Sequence, residues 1–182
     1  MMPEVGNYLL CLALGVALLL SVYPLWGASR QDTRLMALAR PLAWALFACI
    51  LASFLVLVHA LVINDFTVLY VANNSNRALP VWYRVAAAWG AHEGSLLLWV
   101  LLMSGWTFAV AVFSRGMSLD AVARVLAVMG MINVGFLLFI LLTSHPFTRT
   151  LPDYPLDGRD LNPLLPDAGL IFHPPSTYLG YV

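Results

Sequence analysis

Four stretches of the chain, roughly Val5–Val22, Leu42–Ile63, Ser95–Phe113 and Val125–Thr143, are apolar and contain no Asp, Glu, Lys or Arg. A helix needs about 20 such residues to cross a bilayer, so each predicts a transmembrane span. The first is not a cleaved leader: Met1–Glu4 has no basic residue and the run behind it is too long, which makes it a retained anchor. Two long polar segments follow the second and fourth spans, at about 64–94 and 144–175. In the first, Asn73-Asn74-Ser75-Asn76 reads as a turn, and Pro80 opens a short helix carrying Trp82, Tyr83 and Trp89. The second is broken by Pro146, Pro152, Pro155, Pro163, Pro166, Pro174 and Pro175, which predicts an extended or lid-like loop. Ser176–Val182 then starts as another apolar helix and stops, so the chain is expected to be the front portion of something longer. The fold class expected is all-α integral membrane: a polytopic bundle of four transmembrane helices, the start of a fifth, and two long segments on one face.

Composition agrees with lipid as the solvent. Apolar residues make up 62% of the 182 and charged residues 10%, against about a quarter charged in soluble domains. Nine arginines balance nine carboxylates, so no net field points to a nucleic-acid partner. Cys11 and Cys49 lie inside apolar runs and form no CxxC pair, which removes zinc-cluster, thioredoxin-like and covalent c-haem readings.

Arginine placement orients the spans. Arg30, Arg34 and Arg40 follow span one and Arg115 and Arg124 follow span three. The long segments dilute Arg77, Arg84, Arg149 and Arg159 with acidic residues. By the positive-inside rule the short loops face the cytoplasm, and the N-terminus and both long segments lie outside.

That orientation places all four histidines at or near the outer face. Neutral imidazole is a common ligand for haem iron and other metals, but a single histidine is more often a hydrogen-bonded structural residue. His173 stands in Phe172-His173-Pro174-Pro175, where the following proline favours an extended backbone and the next can begin a helix. Such an imidazole at the membrane lip suits an axial ligand. His92 lies beside Glu93 with Ser95 as a possible helix cap; the pair either handles protons or supports a ligand, or is only a helix start. His145, before Pro146, reads as structural, and His59 as bonded to a neighbouring helix. Trp82 and Trp89 suit the headgroup layer, as anchors or as an apolar bed for a ligand. No nucleotide-binding or serine or cysteine nucleophile motif is present, and the charge-free spans argue against an ion path. Asn133, deep in span four, is expected to bond across helices.

The blocks WGAHEGSLLLW (Trp89–Trp99) and GRDLNPLL…GLIFHPP (Gly158–Pro175) are specific. With Asp65–Leu102, MALARPLAW at Met36–Trp44 and RVLAVMGMINVGFLLF at Arg124–Phe139, they make essentially the whole chain resemble the N-terminal region of the CcmF family of bacterial cytochrome c maturation proteins. The resemblance implies that residues 1–182 are the N-terminal membrane region of a cytochrome c assembly protein in the bacterial inner membrane. It implies a haem-handling subunit of a haem lyase that takes haem b from the haem chaperone CcmE at the periplasmic face. CcmH-type thiol-handling partners would help attach it to the CxxCH thiols of apocytochrome c. His173 matches the family's first periplasmic haem-ligand histidine; the Trp82, Trp89 and His92 surface is the accompanying candidate, and no catalytic residue is assigned. Two departures stand out. The family's tryptophan-rich segment, second periplasmic histidine and transmembrane haem-binding histidines should lie beyond Val182, and Ser176-Thr177 replaces a bulkier apolar pair. This piece alone is therefore not expected to act as a lyase. The competing readings are a transporter domain, which needs polar helix faces the spans lack, and a scaffold with no haem of its own.

Overall fold

The computed structural model describes residues 2–159 and 168–182. Eight α-helices occur among them: α1 (Met2–Arg30), α2 (Thr33–Ala37), α3 (Ala39–Val62), α4 (Leu69–Asn74), α5 (Val81–Ala86), α6 (His92–Phe113), α7 (Leu119–Thr143) and α8 (Ala168–Tyr181). Four helical stretches, Met2–Arg30, Thr33–Val62, His92–Gly116 and Leu119–Thr143, are long and apolar enough to cross a membrane. Three of them contain a predicted span whole; the second starts well before Leu42 and ends at Val62, one residue short of the predicted Ile63, which is the C-cap of α3. Helix α1 runs through Pro24, which deprives only the Leu20 carbonyl of its partner.

The long helices close a ring, α1 packing on α3 and α7 and α6 on the same two. Each buries a stripe stepping by threes and fours. In α1 it is Gly6, Leu10, Ala13, Ala17, Leu20, Pro24 and Gly27; in α3 it is Ala39, Ala43, Leu46, Ile50, Ser53, Leu57 and Ala60. That spacing is the seam of a left-handed bundle. Small residues let backbones approach where lipid supplies no hydrophobic drive: a Cβ at Gly130 of α7 would lie 3.1 Å from Ser21 Oγ of α1. Two hydrogen bonds cross the interior. Ser53 Oγ donates to the Gly6 carbonyl at 3.0 Å, and Asn133 Nδ2 to Thr107 Oγ1 at 3.3 Å, the interhelical bond expected of Asn133.

Helix ends are set by local chemistry. After α3, Asn64 takes a positive φ of 54°. Its N–H donates to the Leu61 carbonyl and that of Asp65 to Ala60, a Schellman stop in which asparagine accepts the left-handed conformation. Asp32 and Ser118 cap α2 and α7 through their side chains. At this end Arg40 Nη2 reaches the Ser114 carbonyl at 3.1 Å, tying the two short loops together.

The opposite end, which carries the N-terminus, holds both long segments. They pair through one antiparallel bridge, Val68 with Arg149, with Leu69 N to Thr148 O at 2.8 Å and Thr150 N to Thr67 O at 3.0 Å. Arg149 fastens this clip to α1 through Glu4 (Nε to Oε1, 2.9 Å) and also bonds Thr67.

Three local expectations change. Asn73 and Asn74 end helix α4 rather than forming a turn; the chain becomes extended only at Ser75. Ser95 is not a cap, because the extended residue is Ala91, four positions earlier, and Ser95 Oγ bonds back to the His92 carbonyl at 3.1 Å. Most consequentially, the segment expected to stay extended to Pro175 is helical from Ala168, with Pro174 and Pro175 inside α8. A residue before proline is biased against helix, not barred from it. The following hydroxyls help, Thr177 Oγ1 bonding the His173 carbonyl at 2.8 Å and Ser176 Oγ that of Phe172.

Candidate functional site

The candidate residues converge on the N-terminal end of the bundle, organised around the start of α6. Tyr70 of α4 is its pivot. The hydroxyl donates to the Ala87 carbonyl at 2.8 Å and accepts from Ala91 N at 3.3 Å. Burial drives this phenol well above its ordinary range, the Ala91 N–H pulls it back, and the Glu93 carboxylate adds to the rise. Gly94 sits so close that a Cβ there would overlap the Ala88 carbonyl oxygen and the Tyr70 hydroxyl. The WGAHEGS block is thus a knot: a 3-10 turn over Ala87–Trp89, an extended Ala91, and a helix wedged against the turn it has just left.

His92 begins α6 and is exposed. Its Nε2 is 3.1 Å from Ser144 Oγ, and its ring meets Phe139 of α7 edge-on at 6.4 Å. His145, next along, is half-buried. Its Nδ1 accepts from Phe147 N at 3.2 Å and its Nε2 lies 2.8 Å from Asn7 Oδ1. An Nδ1 that accepts carries no proton, so the geometry holds the neutral Nε2–H tautomer, and burial pushes the imidazole below its ordinary value. His59, on the last turn of α3, is exposed and has no ring hydrogen bond among the described residues, unlike the bonded position expected.

His173 lies midway along α8 and is exposed, next to Phe172, itself 71% exposed. Helix α8 descends beside α6: Tyr178 stacks on Trp99 at 6.5 Å and 17°, and Tyr181 shares a groove with Trp99, Met103 and Trp106. Five residues before Tyr178, His173 lies about 7.5 Å higher, level with the first turn of α6. Helix α8 also touches α5, whose Trp82 is 74% exposed. Trp89 is half-buried against the core. His92 and His145 are therefore joined through Ser144 at the α7 terminus, whereas His173 and Trp82 belong to the α5–α8 side. Among the described residues no three His, Cys, Asp or Glu side chains gather to hold a bare metal ion.

Two of the arginines at this end, Arg84 and Arg149, are engaged in structure. Arg84 donates to the Leu79, Val62 and Arg77 carbonyls, and Arg149 holds the clip. Arg77 stacks on Phe66 at 5.9 Å. Gly158 explains the start of the GRDLNPLL block: a Cβ there would overlap the Ser75 carbonyl, and Arg159 N bonds Ala72 O at 2.8 Å, pinning the segment to the end of α4. The rest of that block, Asp160–Asp167, lies outside the described residues. Sequence reasoning missed Tyr70, Gly94 and Ser144. Only the glycine in WGAHEGS gave a signal, and it acts by close approach rather than by a turn.

A multi-pass helical membrane protein with its histidines and exposed tryptophan gathered at one end is the class these features define, and the chain belongs to the cytochrome c assembly protein family, whose model matches residues 89–182. It is 74% identical over all 182 residues to the cytochrome c-type biogenesis protein CcmF of Escherichia coli (strain K12) and 56% identical to that of Haemophilus influenzae. Both alignments span 28% of the relative's length. The solved cytochrome c haem lyase CcmF shares the fold with a TM-score of 0.74 at 32% identity, over 81% of this chain and 25% of that one. The all-helical membrane fold follows from these likenesses.

Proposed function

We propose that this chain is the N-terminal membrane region of a haem lyase subunit, with its N-terminus and histidine-bearing end in the periplasm and its short arginine loops in the bacterial cytoplasm. Haem b is the substrate, delivered by the chaperone CcmE and joined, with CcmH-type partners, to the CxxCH thiols of apocytochrome c. The single observation that carries the reading is His173: an exposed imidazole on α8, level with the start of α6, beside exposed Phe172. Neither ring nitrogen has a hydrogen bond among the described residues, which leaves the imidazole without a competing partner for iron.

The fit to haem is chemical. Phe172 and Trp82 present exposed aromatic surface for a porphyrin face. Trp89 is half-buried against the core at the turn before α6. His92 belongs to the Ser144 side and is assigned as a second polar contact of the same end. Arg77 and Arg159 are nearer the surface than Arg84 and Arg149, whose guanidinium groups already serve backbone and carboxylate partners, so propionates are assigned to the former pair.

The intact protein carrying His173→Ala should lose most cytochrome c assembly and show an altered haem absorption spectrum after purification. Wild-type values of both would remove His173 as a ligand. A normal spectrum with lost assembly would place the defect at a partner contact instead of iron.

A further inference from the structure

A cavity opens at the same end, on the α4–α7 side and away from His173. It encloses about 370 Å3 between α4, the start of α6 and the end of α7, and Asn73, Asn74, Glu93, Leu142, Thr143 and His145 are among its walls. One water occupies about 30 Å3, so there is room for an organic headgroup.

The walls accept hydrogen bonds and offer few. Glu93 supplies a carboxylate that meets no cation or donor among the described residues. Leu142 and Thr143 end α7, and the last carbonyls of a helix need outside donors. The N–H that would serve Leu142 belongs to residue 146, a proline without one. The N–H that would serve Thr143 belongs to Phe147 and is directed to His145 Nδ1. The helix dipole adds negative potential at the same place. His145, the one wall residue able to become a cation, is held neutral by the two hydrogen bonds described above. The cavity therefore has along its walls a carboxylate, two carbonyls without donors among the described residues, and the Asn73 amide.

We infer that this cavity binds a primary ammonium group, the ethanolamine headgroup of a phospholipid in the leaflet at the N-terminal end of the bundle. Three N–H donors on one positive centre match a carboxylate and two carbonyls, which a quaternary ammonium cannot do. The lipid source follows from Leu142. It is 78% exposed at the mouth of the cavity, on the last turn of a membrane-crossing helix, where an acyl chain lies against the apolar side chain as the headgroup turns inward.

The intact protein in nanodiscs of equal phosphatidylethanolamine and phosphatidylcholine, stripped stepwise with detergent and weighed by native mass spectrometry, tests this. Wild type should retain the ethanolamine lipid about tenfold over the choline lipid, a ratio set by one charge-assisted bond; Glu93→Gln, folded by thermal melt, should bring the ratio to near one. Should Glu93→Gln fail to fold, free ethanolamine displacing the retained lipid from wild type where free choline does not supports the same conclusion. Equal retention of the two lipids by wild type overturns it, as does an unchanged preference in folded Glu93→Gln. Failure of ethanolamine to compete overturns it too. Glu93-dependent binding of a lysine-bearing peptide without lipid preference would assign the ammonium to a polypeptide and overturn the lipid source.

Discussion

His145 shows how a residue's environment fixes its chemistry. Its Nδ1 accepts from the Phe147 N–H, its Nε2 faces Asn7 Oδ1, and burial lowers its affinity for a proton. The unfolded chain, with an imidazole near 6.5, binds a proton more readily than the folded one. Stability therefore rises with pH across the interval from the depressed folded value up to about 6.5, and is lost as pH falls through that interval. Thermal melts of the intact protein between pH 7.5 and 5 should show a midpoint falling on acidification, with a shallower fall in His145→Asn, which keeps an acceptor for Phe147. Equal slopes would mean that the folded imidazole titrates like a free one. The sequence marks His145 as structural only through Pro146. Its partner Asn7 lies 138 positions away, and no local pattern reports a contact of that separation.

Among elements, existence is more legible than ends. Length and absence of charge reveal the four long helices, since lipid tolerates little else. They do not reveal which face is buried, because lipid-facing and core-facing positions are equally apolar; the core stripe is written in small and hydroxyl residues, Gly6, Ala13, Ala17, Ser21, Ser53 and Gly130. Helix α8 was obscured by two prolines whose local bias a helix can absorb. The start of α6 was misread at Ser95 because its limit is steric: Gly94 is pressed against the turn that precedes it. Gly94→Ala should destabilise the intact protein by about 1–3 kcal/mol, the range for overpacking a filled site, read as a lower melting midpoint with slower hydrogen-exchange protection lost first around residues 87–95. Adding Tyr70→Phe should not restore it, because the Ala88 carbonyl remains in the way. A midpoint equal to wild type would show that the turn yields without cost.

For the whole molecule, the ring of helices divides the charges between two ends. Arg30, Arg34, Arg40, Arg115 and Arg124 face Asp32 and Asp120 at one end; Arg77, Arg84, Arg149 and Arg159 face Glu4, Asp65, Glu93, Asp153 and Asp157 at the other, among the described residues. Bonds within each end, Arg40 to Ser114 and Arg149 to Glu4, join segments far apart in sequence, so the division belongs to the fold and not only to the loop order. An excess of arginine in short loops is the pattern of cytoplasmic loops, and the orientation proposed above, with α8 and His173 across the membrane, rests on it. Single cysteines test this in a chain with Cys11→Ala and Cys49→Ala. Leu156→Cys, at a position 85% exposed, should react with a membrane-impermeant maleimide in intact spheroplasts. Gly116→Cys, where an added side chain meets open space, should react only after lysis. The reverse pattern would place His173 in the cytoplasm, out of reach of a periplasmic haem donor, and the proposed haem chemistry would fall even though the family membership and the bundle would stand.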